Sequence, residues 1–116
     1  METVQITFRG IPSSAAIEAK VRERAAKLER LYPRITSCRV AIETPHAHHH
    51  KGKLFHVRID LTVPQHELVV SRDPAMNHAH EDVYVAIRDA FEAAERQLED
   101  FARKQRGEVK TSRPEA

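Results

Sequence analysis

Apolar and polar residues alternate strictly from Thr3 to Arg9, with Val4, Ile6 and Phe8 set against Gln5, Thr7 and Arg9. That period of two predicts a strand with one buried face. Gly10 and Pro12 break it, and Ser13 or Ser14 can cap a following helix by accepting an orphan backbone N–H. Ile17, Val21, Ala25, Leu28 and Leu31 then recur at helical spacing, with Arg22, Glu23, Lys27 and Arg30 outward, until Pro33 ends the helix near Tyr32. Alternation resumes in Cys38, Val40 and Ile42, stopped by Thr44 and Pro45, and again over the long run Phe55, Val57, Ile59, Leu61 and Val63. Pro64 to His66 forms a tight connection to a fourth strand, Glu67 to Arg72, with Leu68 and Val70 inward. Asp73 to Glu81 reads as a polar loop leading to a helix capped near His80 to Asp82. Val83, Ile87, Ala90, Phe91, Ala94, Leu98 and Phe101 form that helix's apolar stripe, which ends by Gly107.

The order β-α-β-β-β-α, with one apolar face per element, predicts an α+β fold: a two-layer sandwich with both helices on one face of a four-stranded mixed sheet. Gln5, Thr7, Arg39, His56, Arg58, Asp60 and Thr62 should occupy the other, wet face. A right-handed crossover makes the first two strands parallel. Residues 1–107 are expected to form one domain and 108–116 a frayed tail.

The 116 residues carry 19 Lys and Arg against 17 Asp and Glu, a formal charge of only +2, so a polyanionic partner must be read from charge placement. Residues 13–35 hold six basic against three acidic side chains, residues 81–100 hold Arg88 and Arg96 against seven acidic ones, and residues 101–116 are again basic. No apolar run is long enough to span a membrane and no signal peptide opens the chain, so it is expected in the cytoplasm. With three glycines and no CxxC, HExxH, phosphate loop or nucleophile elbow, the chain is expected to be no enzyme and to need no cofactor or small-molecule substrate. Cys38, the single cysteine, falls on the inward register with Val40 and Ile42 and reads as core. Glu95 and Glu99, one turn apart, read as a solvated face without a pocket, and Tyr32 and Tyr84 as packing residues at helix ends.

Two constellations could carry chemistry. His46, His48, His49 and His50 with nearby His56 supply imidazoles that could converge on a transition-metal ion, although their spacing matches no closed zinc pattern. Lys20, Arg22, Arg24, Lys27 and Arg30 on the first helix and Arg96, Arg103, Lys104 and Arg106 on the second would make a basic ridge, if the helices lie side by side, able to contact RNA phosphates by shape. The open sheet face lacks an aromatic stacking surface for single-stranded RNA.

Three motifs sharpen the second reading. Lys27-Leu28-Glu29-Arg30-Leu31-Tyr32-Pro33-Arg34-Ile35, Glu81-Asp82-Val83-Tyr84-Val85-Ala86-Ile87 and Arg96-Gln97-Leu98 lie within a region from Val4 to Arg106 that resembles the ribosome hibernation promoting factor and ribosome-associated inhibitor family, also called sigma-54 modulation proteins. The resemblance implies a fold like the double-stranded-RNA-binding domain. It also implies binding to the small ribosomal subunit and the whole ribosome through ribosomal RNA, in the decoding channel, where occupancy excludes messenger and transfer RNA and silences translation under stress. Arg24, Lys27, Arg96 and Lys104 occupy positions where such proteins place basic residues; Lys20, Arg22, Arg103 and Arg106 join them by periodicity and nearness. The loop from Thr44 to Lys53 and the acidic first half of the second helix depart from the family pattern, and the chain looks like a short form without the second, dimerising domain. The alternative is a small metal-binding or metal-responsive protein built on His46, His48, His49, His50 and His56.

Overall fold

The computed structural model describes residues 3–44, 55–72 and 82–108. Within them run β1 (Thr3–Arg9), α1 (Ala15–Leu31), β2 (Ser37–Glu43), β3 (His56–Val63), β4 (His66–Arg72) and α2 (Val83–Arg103), the last continued by a π-helical turn, Lys104–Glu108. The sheet order is β1-β2-β3-β4. β1 pairs parallel with β2, and the other two pairings are antiparallel. This is the predicted two-layer architecture, with the strand order supplied by the structure.

Register explains why one face is dry. Ile6, Val40, Ile59 and Val70 form one row across all four strands, and Val4, Cys38, Leu61 and Leu68 form the next. Both rows face the helices, where Cys38, Ile59 and Leu61 are fully buried. They meet Val21, Ala25 and Leu28 of α1 and Ala86, Ile87, Ala90, Phe91, Ala94 and Leu98 of α2 in one core. α1 lies over β1, α2 lies over β3 and β4, and the two helices touch.

The caps are local chemistry. Ser14 Oγ accepts from Ile17 N at 3.2 Å and Asp82 Oδ1 accepts from Tyr84 N at 2.9 Å, each satisfying a donor that the first helical turn leaves without a partner. Gly10 leaves β1 at φ +78°, and a Cβ there would stand 3.0 Å from Thr44 Oγ1 and 3.2 Å from the Thr44 carbonyl oxygen, so the exit of β1 beside the end of β2 requires glycine. Between β3 and β4, Pro64 and Gln65 form a two-residue turn with Gln65 at φ 64°. That turn brings His66 onto the helix side of the sheet, 5.2 Å from the Phe101 ring centroid.

Two expectations about packing are corrected. Leu31 is 48% exposed rather than part of the α1 stripe, because at about 100° per residue it falls on the flank shared with Lys20, Arg24 and Lys27. Tyr84 is 42% exposed, since the second residue of α2 sits roughly a quarter-turn from the buried stripe. Tyr32 does pack, meeting Phe101 edge to face at 5.9 Å. His46, His48, His49 and His50, the segment Asp73 to Glu81 and tail residues 109–116 lie outside the described residues.

Candidate nucleic-acid interface

The two outer surfaces treat their charges differently. On the open sheet face, register places Gln5, Arg39, Asp60 and Val69 in one row, Thr7, Ala41, Arg58 and Ser71 in a second, and Arg9, Glu43 and His56 in a third. Arg39 reaches Glu67 at 2.5 Å and Asp60 at 3.5 Å, Arg58 meets Asp60 at 2.9 Å, and Arg9 lies 3.9 Å from Glu43. The hydrogen bond to Glu67 raises the Arg39 pKa, and the one to Asp60 raises that of Arg58. His56 uses both ring nitrogens, Nδ1 with Glu43 Oε2 at 3.2 Å and Nε2 with Ser71 Oγ at 2.8 Å. Arg9, Arg39 and Arg58 of this face therefore each have a carboxylate within 4 Å. Among the described residues no group of three His, Cys, Asp or Glu side chains could hold a metal ion.

The helix layer is unlike this. Among the described residues, Arg22, Arg24, Lys27, Arg30, Arg34, Arg96, Lys104 and Arg106 make no ion pair within 4 Å. Lys20 pairs with Glu23 at 3.1 Å, and Arg103 pairs with Asp100. Arg30 and Arg103 stand in the last turns of their helices, where they offset the negative end of the helix dipole.

Helical periodicity distributes the predicted residues. Lys20, Arg24 and Lys27 share one flank of α1 with Leu31, and Leu31 lines a groove against α2, so this flank is turned toward α2. Arg22 falls on the opposite flank with Glu18 and Glu29. On α2, Glu95 and Glu99 border the groove, whereas Arg96 lies about 100° farther round, beside Gln97, whose Nε2 donates to the Val69 carbonyl of β4 at 3.3 Å. The structure thus gathers Lys20, Arg24 and Lys27 along α1 and Arg103 and Arg106 with Leu31 and Tyr32 at the helix C-termini. It leaves Arg22 and Arg96 on outer flanks. Among the described residues two further unpaired cations stand at the α1 end: Arg30, which the sequence places on the ridge but not among the contact residues, and Arg34, which the sequence shows in the basic run and in the Lys27–Ile35 motif without assigning it a contact.

The groove holds about 270 Å³ between Leu31, Tyr32, Leu98 and Ala102, bordered by Glu95, Glu99, Arg103 and Arg106. The expectation that Glu95 and Glu99 adjoin no pocket is corrected by it. Two helices placed side by side create a concavity that neither helix shows alone.

The chain is thus a small α+β domain whose helix layer carries unpaired cations and whose sheet face pairs its own charges among the described residues. Residues 4–106 match the family described as sigma 54 modulation protein / S30EA ribosomal protein, and the chain belongs to that family. Its fold is similar to that of a ribosomal subunit interface protein from Coxiella burnetii, with TM-score 0.70 and 15% identity over 86% of this chain and 97% of that one. The Protein Y N-terminal domain from Thermus thermophilus is also similar, with TM-score 0.68 and 21% identity over 87% and 99% of the two chains. No curated protein matches the chain. Among the described residues no helix is long and apolar enough to cross a membrane.

Proposed function

We propose that this protein is a non-enzymatic, cytoplasmic translation inhibitor that binds the small ribosomal subunit and holds ribosomes idle, with its helix layer against ribosomal RNA in the decoding channel. Family membership supplies the ribosomal context. The observation that carries the reading is the division of charge: among the described residues eight unpaired cations lie on the helix layer and its C-terminal end, while Arg9, Arg39 and Arg58 of the sheet face are each paired with a carboxylate. An exposed cation already engaged with a carboxylate must give up that partner to meet a phosphate, whereas an unpaired one exchanges only water and counterions. Arg24, Lys27, Arg96 and Lys104 are the principal contacts, and Lys20, Arg22, Arg103 and Arg106 the secondary ones. Occlusion requires no catalytic group, only a body that fills the channel and phosphate contacts that hold it there.

Sucrose-gradient cosedimentation with ribosomes and separated subunits, run at low and moderate salt with translation assayed in parallel, tests this. Migration with the small subunit that weakens steeply with salt, while translation falls, is the expected outcome. Reversing Arg24, Lys27, Arg96 and Lys104 to Glu should abolish migration and leave the thermal transition in place. A wild-type protein that stays at the top of a low-salt gradient overturns the reading; a reversed variant that still migrates overturns the residue assignment.

A further inference from the structure

The groove between the helix C-termini combines three features that a plain RNA-phosphate surface would not need. Leu31 is 48% exposed, although the core lies one turn away at Leu28, and with Leu98, Ala102 and Tyr32 it forms an apolar floor. Tyr32 is fixed edge to face on Phe101, so this floor is held in place rather than folded over the opening. Glu95 and Glu99 border one part of the groove and Arg103 and Arg106 another, which orders the rim along α2 from acidic to basic.

We infer that this groove is a binding site for one unpaired guanine nucleotide of RNA, a proposal that rests on the ribosomal reading above. An apolar floor offers a face to a flat base, as RNA-binding proteins offer stacking surfaces to splayed nucleotides. The carboxylates select the base. Guanine presents two adjacent donors, N1–H and the N2 amino group, which one carboxylate can accept together. Adenine and cytosine each set an amino group beside a ring-nitrogen acceptor, and uracil flanks its single N–H with two carbonyl oxygens, so each aims a lone pair at the carboxylate. The basic end takes the phosphate. Arg103 is engaged with Asp100, which leaves Arg106 as the principal phosphate contact. Glu99 and Arg106 are seven residues apart, on the order of 10 Å at 1.5 Å per residue, comparable with the reach from a purine's far edge to its phosphate.

Titration of the ¹⁵N-labelled full chain with guanosine, adenosine, cytidine and uridine 5′-monophosphates, followed by amide NMR, tests the site. The guanine nucleotide should shift the amides of Leu31, Leu98 and Ala102 with an apparent affinity at least about fivefold above the other three. Glu95→Gln with Glu99→Gln should erase that preference, and Arg106→Gln should weaken all four alike. Equal responses to the four nucleotides, shifts confined to other surfaces, or no shift at millimolar ligand would each overturn the proposal. Cosedimentation separates this from the broader reading: a protein that binds ribosomes without a guanine preference loses only the groove assignment. One that prefers guanine without cosedimenting keeps the groove and loses the ribosomal role.

Discussion

Arg39 and Arg24 carry the same side chain in the same small domain, yet they belong to surfaces with opposite habits. On the sheet, strands about 5 Å apart bring residues distant in sequence into lateral rows, so Arg39 meets Asp60 and Glu67, 21 and 28 positions further along the chain. Along α1 the neighbours are the residues three or four away, and Arg24 finds there Lys20, Val21, Lys27 and Leu28, none of them acidic. A sheet can neutralise its charges internally, while a helix flank of one sign must leave them to solvent or to a partner. The near-equal totals of Lys and Arg against Asp and Glu conceal this, because acids and bases are nearly balanced overall and unbalanced locally.

Removing what fastens the helix layer to the sheet breaks this contrast most severely. Phe101 is buried at the end of α2, where it meets Tyr32 from the α1 end and His66 from β4. Phe101→Ala should cost about 3–5 kcal/mol in urea unfolding, because it opens a cavity where three elements converge. Val69 stands 42% exposed on the open face, and Val69→Ala should change stability by no more than about 0.5 kcal/mol. Similar losses from both substitutions would mean that the two layers do not differ in how they bear load.

A second, smaller effect concerns binding. Neutralising Arg24, Lys27 and Lys104 to Gln should lower ribosome affinity roughly 100-fold near 0.1 M salt and flatten the salt dependence by close to one unit of log–log slope for each phosphate no longer neutralised. Neutralising Arg9, Arg39 and Arg58 should leave affinity within about threefold, since these side chains already serve Glu43, Glu67 and Asp60. Filter binding across a salt series measures both. Equal losses from the two sets would erase the distinction between the surfaces.

The sheet was legible because its signal is local: Val57, Ile59, Leu61 and Val63 alternate without interruption, and burial follows the alternation residue by residue. Helix faces were less so. Leu31 continues an apolar spacing in sequence but falls on the flank of α1 with Lys20, Arg24 and Lys27, and which flank a partner helix covers is set by packing rather than by spacing. The sequence groups Arg96 with the α1 cations in one basic ridge, yet Glu95 and Arg96 are adjacent in sequence and about 100° apart on α2, so the acidic residue borders the groove and the basic one does not. The ion pairs of the open face could not be foreseen at all. Arg39 with Glu67 depends on the register of two successive hairpins, and a shift of one residue would send either side chain to the other face.

The smallest effect contrasts the two faces at neighbouring positions of one strand. Cys38 points into the core with no exposed surface, and burial pushes its thiol up from 9.0 to about 12. Arg39, next in sequence, points to the open face, where its hydrogen bond to Glu67 raises its pKa. Well below pH 9 the thiol is protonated in both folded and unfolded chains and contributes no pH dependence. Above that the unfolded chain gains from ionising while the folded one cannot until about pH 12, so stability must fall across this window as pH rises. The linkage is about 1.4 kcal/mol per pH unit once the unfolded thiol is ionised, so roughly 1 kcal/mol should be lost by pH 10. Arg39 keeps its charge and its partner throughout that window. Urea unfolding of wild type and Cys38→Ala from pH 8 to 10.5 should show the wild type losing stability more steeply than the variant, and parallel pH profiles would mean that β2 has no dry face at Cys38.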